Sequence, residues 1–270
     1  VDIKLVSSSN KKKVIDLGNG VKIGDGEFTI IAGPCAVENY EQLEATAKFL
    51  NKLGVNVLRG GAFKPRTSPY SFQGLGFQGL KYLRDVGKKY NMKVISEIMD
   101  PRDVERAYDL VDVYQVGSRN MQNYSLLKEL GNVDKPVMLK RGMTATVNEW
   151  LMAAEYIALE GNDNIILCER GIRTFENYTR NTLDLTVVPI VKSLSKLPII
   201  VDPSHGTGMR ELVATMARAS VVVSADGIMV EVHPSPDNAL SDGFQSLDFS
   251  MMNELINQVD ILKKYMNELE

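Results

Sequence analysis

The sequence predicts an α/β protein, a (β/α)8 TIM barrel with a short N-terminal β-hairpin extension, and three observations carry that expectation. The length, 270 residues, is a little above the roughly 250 typical of one such barrel. Short β-branched runs alternate with helical patterns from residue 28 to the end, the signature of repeated βα units around a parallel sheet. Nearly every run ends in a charged or reactive side chain, and barrels of this kind keep their chemistry at the carboxyl ends of their strands.

Taken in order, residues 1–26 stand apart. Ile3–Val6, Lys13–Leu17 and Val21–Ile23 are short, polar-interrupted strand candidates separated by Asn-Lys and Gly-Asn-Gly turn signals, and they read as a small hairpin covering one end of the barrel. The barrel proper is expected over residues 27–270, with strands at Phe28–Ala32, Val55–Leu58, Val94–Ser96, Val113–Val116, Val137–Leu139, Ile165–Cys168, Ile199–Val201 and Gly227–Val230. Amphipathic segments lie between them. In Glu41–Leu53 and just beyond it, Leu43, Ala47, Leu50 and Gly54 recur at helical spacing, and in Leu247–Leu269 one stripe holds Met252, Leu255, Val259, Leu262, Met266 and Leu269. This last stripe is too short for a long zipper and reads as an outer barrel helix. No linker, repeat or low-complexity segment marks a second domain.

Composition excludes several classes. A formal charge of −3 leaves no global basic surface for nucleic acid or an anionic membrane. No apolar stretch approaches the ~18 residues needed to span a bilayer, and Val1 to Lys13 lacks the apolar core of a signal peptide, so a soluble, cytoplasmic protein is expected. Two cysteines, Cys35 and Cys168, are too few for a disulfide framework. The expected assembly is a homo-oligomer, a dimer or tetramer.

The strand-end residues sort into two chemical groups. Arg59, Lys64, Arg66, Arg119, Lys140 and Arg170 form a cationic set larger than the carboxylates of the same mouth could neutralise, which implies anionic ligands, most simply phosphates and a carboxylate. Lys64-Pro65-Arg66-Thr67-Ser68 adds hydroxyls to cations on a proline-stiffened loop, a good geometry for one phosphate. Surface charge at a loop start would explain any one of these residues; it explains the set poorly. The second group is Cys35, His205, Glu231 and Asp242, a mixed sulfur, nitrogen and oxygen set that suits Mn²⁺, Fe²⁺, Co²⁺ or Zn²⁺ rather than Mg²⁺ or Ca²⁺. Taken alone, Cys35 reads as a core thiol as readily as a ligand. Cys168 reads as core, and His233, beside Pro234, reads as a loop residue near the site before it reads as a ligand.

At this point the motifs resemble a known family. Ile31-Ala32-Gly33-Pro34-Cys35, Arg59-Gly60-Gly61-Ala62-Phe63-Lys64-Pro65-Arg66-Thr67-Ser68, Gly117-Ser118-Arg119-Asn120, Leu139-Lys140-Arg141-Gly142, Cys168-Glu169-Arg170-Gly171 and Asp202-Pro203-Ser204-His205 are similar, in order, to the motif series of the DAHP synthases, in particular the short group related to KDO8P synthases. The resemblance runs from about Phe28 to Asp242. It implies condensation of phosphoenolpyruvate, erythrose 4-phosphate and water to 3-deoxy-D-arabino-heptulosonate 7-phosphate and phosphate, the entry step of the shikimate pathway and so of aromatic amino acid biosynthesis. It also implies a divalent metal held by Cys35, His205, Glu231 and Asp242. Arg59 and Lys64 would contact the phosphoenolpyruvate carboxylate, Arg119, Lys140 and Arg170 its phosphate, and Arg66 and Thr67, with Ser118 nearby, the sugar phosphate. Pro65 and Asp202 complete the implied substrate site, and Glu97, Lys140 and His205 the catalytic set, with Glu97 or Lys140 orienting the attacking water.

Rival readings remain open at this level. A KDO8P synthase would use arabinose 5-phosphate on the same barrel, although its matching stretch typically reads Lys-Ala-Asn-Arg rather than Lys-Pro-Arg-Thr. A Schiff-base aldolase would use Lys140 as nucleophile. A sugar-phosphate-binding protein without turnover would keep the cations and lose the ligand set. Some DAHP synthases carry a fused ferredoxin-like or chorismate-mutase domain that regulates them; the sequence shows neither, so aromatic amino acids are expected to leave its rate unchanged.

Overall fold

The computed structural model describes residues 2–269, so Val1 and Glu270, the outermost residues of the two expected segments, lie outside the described residues. The eight expected strands are all present. In chain order the strands are β1 (Ile15–Gly18), β2 (Val21–Ile23), β3 (Thr29–Gly33), β4 (Val57–Arg59), β5 (Lys93–Glu97), β6 (Val113–Val116), β7 (Val137–Lys140), β8 (Ile165–Glu169), β9 (Ile199–Val201) and β10 (Gly227–Glu231). Strands β3 to β10 are parallel and close on themselves, β10 pairing with β3 through Gly227–Thr29 to Glu231–Gly33. Their β-branched side chains suit a pleated surface covered on both faces, which is why these strands read as continuous apolar runs.

The helices are α1 (Tyr40–Lys52), α2 (Phe77–Lys89), α3 (Val104–Ala107), α4 (Tyr124–Gly131), α5 (Val147–Leu159), α6 (Val187–Leu194), α7 (Pro203–Thr207), α8 (Arg210–Val222) and α9 (Phe249–Leu269). Local chemistry starts several of them. The Asn39 side chain accepts from Gln42 N at 2.8 Å to begin α1, and Thr146 and Glu149 form a reciprocal capping box at α5. Helix α5 also anchors Trp150, fully buried, whose indole N–H donates to Leu139 O at 3.1 Å. Along α9, Met252, Leu255 and Val259 are buried and Leu262 and Met266 pack against the same core, whereas Leu269, at the end of the expected stripe, is 63% exposed. Among the described residues no helix is long and apolar enough to cross a membrane.

The expected hairpin exists but is smaller than the sequence suggested. Strands β1 and β2 pair antiparallel, with an irregularity between Asp16 and Gly18. Ile15, Leu17 and Ile23 join the barrel's interior layer of Ile31, Val57, Ile95, Val113, Met138, Ile166, Cys168, Ile200 and Met229, closing its amino-terminal end. Ile3–Val6 is not a strand. The amide groups of Lys4, Leu5 and Val6 donate to the Glu155 carboxylate at 2.9, 2.8 and 3.1 Å, so their N–H groups are satisfied by a side chain on α5 instead of a ladder.

Candidate active site

The carboxyl ends of the strands bring the chemistry together. Strand β3 ends at Gly33, where a β-carbon would come 2.0 Å from Arg59 O, so only glycine lets this strand approach β4 so closely before Pro34 and Cys35. The Cys35 sulfur then lies 3.1 Å from Lys64 Nζ, 3.1 Å from Ser241 Oγ and 3.5 Å from Asp242 Oδ2. After β9, Asp202 caps α7 by accepting from His205 N at 2.9 Å and holds the ring Nδ1 at 2.7 Å, which turns Nε2 to within 3.3 Å of Glu231 Oε1. A carboxylate on one imidazole nitrogen fixes the tautomer that presents the other as a ligand.

One ligand atom from each of Cys35, His205, Glu231 and Asp242 lies within 4.8 Å of the others. Donors of this kind bond a first-row divalent ion at roughly 2.0–2.3 Å, so these four residues are close enough together that they would hold one ion between them. Its electrostatics fit as well. Burial, which would raise the Glu231 carboxyl, is outweighed by His205, Arg59 and Lys64, leaving it at about 2. Burial lowers His205 toward the neutral form despite Asp202 and Glu231. Burial, then Glu231, pushes the Cys35 thiol up to about 12, and a bound cation is what would reverse that.

Beside this cluster opens a cavity of about 320 Å³. Its walls include Arg59, Lys64, Arg66, Arg119, Lys140 and Arg170, the whole expected cationic set, together with Pro65, Thr67 and Ser118. Several cations are balanced by acids: Arg59 pairs with Glu231 at 2.6 Å and Lys140 with Asp202 at 2.5 Å. Arg119 and Arg170 have no ion-pair partner among the described residues, so two guanidinium groups face the cavity without a carboxylate. Arg66 reaches Ser241 Oγ at 2.9 Å and stands 3.9 Å from Asp242.

Glu97 enters the same cavity from β5. Among the described residues its Oε1 is buried without a hydrogen-bond partner, and Oε2 accepts only a 3.4 Å bond from Gln115 Nε2. Burial raises its carboxyl against the lowering effect of Lys64, Lys140, Arg119 and Arg59. At Gly117 a β-carbon would stand 2.1 Å from Oε1, so the glycine of the Gly117-Ser118-Arg119-Asn120 motif keeps space for this carboxyl.

Not every strand-end charge points at the mouth. Glu169 is fully buried away from the cavity; it pairs with Arg141 at 3.0 Å and accepts from Gly171 N at 2.6 Å, while Arg141 also holds Asp184 at 3.0 Å. This network ties the loops after β7 and β8 together. Cys168 lies in the barrel interior, and His233, 3.4 Å from Glu38, stands outside the four-residue cluster. Lys140, the nucleophile of the Schiff-base reading, is paired with Asp202 at 2.5 Å.

The sequence reading missed Arg180, Gln115, Ser241 and Gln245. Arg180 lines the cavity from the loop before α6, pairing with Asp242 at 3.3 Å and Gln245 at 2.9 Å, and nothing at a strand end announces it. Gln115 did carry a signal, a lone amide inside the apolar run Val113–Val116.

Comparison with known proteins agrees with this geometry. The model of the DAHP synthetase I family matches residues 8–268. The phospho-2-dehydro-3-deoxyheptonate aldolase of Thermotoga maritima is 58% identical over 246 residues, 91% of this chain and 72% of that protein. The crystal structure of a DAHP synthase from Thermotoga maritima superposes with a TM-score of 0.95 at 55% identity, covering 98% of this chain and 78% of that one. A truncated form of the Thermotoga maritima 3-deoxy-D-arabino-heptulosonate 7-phosphate synthase gives 0.91 at 52% identity over 97% of each chain. More distant is a 2-dehydro-3-deoxyphosphooctonate aldolase from Syntrophotalea carbinolica, 32% identical over 92% of this chain and 94% of that protein.

Proposed function

This chain belongs to the DAHP synthetase I family, and from that premise we propose that it is a DAHP synthase, a transferase joining phosphoenolpyruvate to erythrose 4-phosphate and water with release of phosphate. The observation that carries the reading is the placement of the Lys64-Pro65-Arg66-Thr67 loop beside the Cys35, His205, Glu231 and Asp242 cluster in one basic cavity.

In this reading Arg59 and Lys64 bind the phosphoenolpyruvate carboxylate, and Arg119, Arg170 and Lys140 bind its phosphate. Arg119 and Arg170, without an ion-pair partner among the described residues, support the placement of the phosphate, because their charge is not already neutralised by a protein carboxylate. Arg66 and Thr67, with Ser118 in the same cavity wall, hold the sugar phosphate. The two grips set the enol carbon against the aldehyde, supplying much of the rate through orientation. A borderline divalent ion, Mn²⁺, Fe²⁺, Co²⁺ or Zn²⁺, supplies when bound the Lewis acid that polarises the aldehyde oxygen. Glu97, whose carboxyl enters the cavity from β5, is assigned the water that adds to the former enol carbon.

Arg66 also bears on the choice of sugar. It sits 3.9 Å from Asp242, so the phosphate grip lies close to the metal cluster, which suits a four-carbon sugar phosphate better than the longer arabinose 5-phosphate. Phosphate release from phosphoenolpyruvate with each sugar tests this. Erythrose 4-phosphate should give the higher kcat/KM; a higher value with arabinose 5-phosphate would make the protein a KDO8P synthase instead.

A further inference from the structure

Gln245 lies on the turn Gly243–Gln245 after Asp242, fully buried, and its side-chain amide joins two charged groups of opposite sign. Its Nε2 donates to Glu231 Oε2 at 2.6 Å, and its Oε1 accepts from Arg180 Nη1 at 2.9 Å. A guanidinium only donates and a carboxylate only accepts, so the amide has one orientation that satisfies both. Glu231 depends on it. Oε1 of that carboxylate is occupied by Arg59 at 2.6 Å and faced by His205 Nε2 at 3.3 Å, whereas the only hydrogen-bond partner of Oε2 among the described residues is Gln245.

The Arg180 end of this strut is itself fixed. Its backbone N donates to Thr207 O at 2.8 Å, and its stem crosses Gly208, where a β-carbon would stand 2.4 Å from Arg180 Cβ. Gly208 has φ +66°, a conformation glycine adopts without strain. The loop before α6 is therefore joined through Arg180 and Gln245 to a carboxylate of the metal cluster. We propose that Gln245 is a positioning residue for the metal centre, holding the Glu231 carboxylate in the plane that presents it to an ion, with its own polarity set by Arg180. The inference rests on the metal site assigned above. Partners of this kind, behind a ligand, typically change metal affinity by about 10- to 100-fold when removed.

The test reads metal binding directly. Co²⁺ is titrated into the metal-free full chain, following the thiolate-to-Co²⁺ absorption that Cys35 would produce, with Cys35→Ala as the control that removes the band. Gln245→Met, close in shape to glutamine, should weaken Co²⁺ by about 10- to 100-fold, while the melting temperature of the metal-free protein shows that the fold is intact. Gln245→Leu provides a second variant if the first does not fold. Affinities within about twofold of the unsubstituted chain for a folded variant would overturn the proposal and leave the metal site standing. Absence of a Cys35-dependent band in the unsubstituted chain would instead refute the metal site, and the proposal with it.

Discussion

At the amino-terminal end of the barrel, Ile15, Leu17 and Ile23 of the hairpin press onto Ile31, Val57 and Ile95, and apolar contact satisfies every one of these side chains. At the carboxyl end the same eight strands present Arg59, Glu97, Lys140 and Glu231, and charge dominates. Among the described residues the upper end holds features that a stability-driven design would avoid: a buried carboxyl oxygen with no partner at Glu97, two guanidinium groups without an ion pair, and a non-glycine residue, Asp242, at φ +50°. The contrast teaches that the plugged end stabilises the fold while the open end is arranged for ligands. Substitutions at the two ends should therefore separate stability from turnover.

The largest effect should come from the open end. Glu97→Gln removes the carboxyl proposed to hold the water, and kcat should fall by about 10²- to 10⁴-fold with the melting temperature unchanged or slightly raised. A matching loss of stability would break the contrast. Ile23→Ala, at the plugged end, should cost about 2–5 kcal/mol of folding stability while the folded enzyme keeps its kcat/KM. Chemical denaturation beside steady-state kinetics checks this, and a kinetic defect without destabilisation would contradict it. Arg66→Ala should weaken use of erythrose 4-phosphate by about 1.5–3 kcal/mol in kcat/KM and leave the KM for phosphoenolpyruvate nearly intact. A defect confined to phosphoenolpyruvate would move Arg66 to the other substrate.

The smallest effect belongs to Asp163, which ties Lys13, just before the hairpin, to Lys196, just before β9. Burial would raise its carboxyl, but hydrogen bonds from Lys13 and Lys196 outweigh that and hold it below its ordinary value. A depressed folded pKa gives stability that is present above the unfolded value of about 3.9 and is lost as pH falls through the folded one. Because Asp163 is more than a third exposed, the gain should be under about 1 kcal/mol. The stability difference between the unsubstituted chain and Asp163→Asn should therefore be present at neutral pH and shrink in acid. A difference that does not change with pH would show that the ion pairs are not its source.

Most of this contrast was legible in the sequence, because β-branched runs and the polar residue after each run are local signals. Five of the eight expected barrel strands kept their starting residue, from Val113 to Gly227, and the expected cations and metal ligands converged on one mouth. What was not legible depended on partners distant in sequence or on which way a strand's last residues face. Ile3–Val6 has strand-like residues, but its amide groups meet Glu155, about 150 positions away. Glu169 and Arg141 also stand at strand ends, yet side chains alternate along a strand: Lys140 and Arg170 face the cavity, and their neighbours Arg141 and Glu169 turn away. Arg180 and Gln245 belong to loops, where no period announces which side chain will turn inward.

The open end is proposed as a metal-dependent site for joining phosphoenolpyruvate to erythrose 4-phosphate. The most direct measurement is phosphate release from the two substrates before chelation, after it, and after addition of Mn²⁺ or Co²⁺. Chelation should abolish release and either ion should restore it, because the aldehyde is otherwise not activated. Full activity in excess chelator, or a Cys35→Ala protein as active as the unsubstituted chain, would contradict the account.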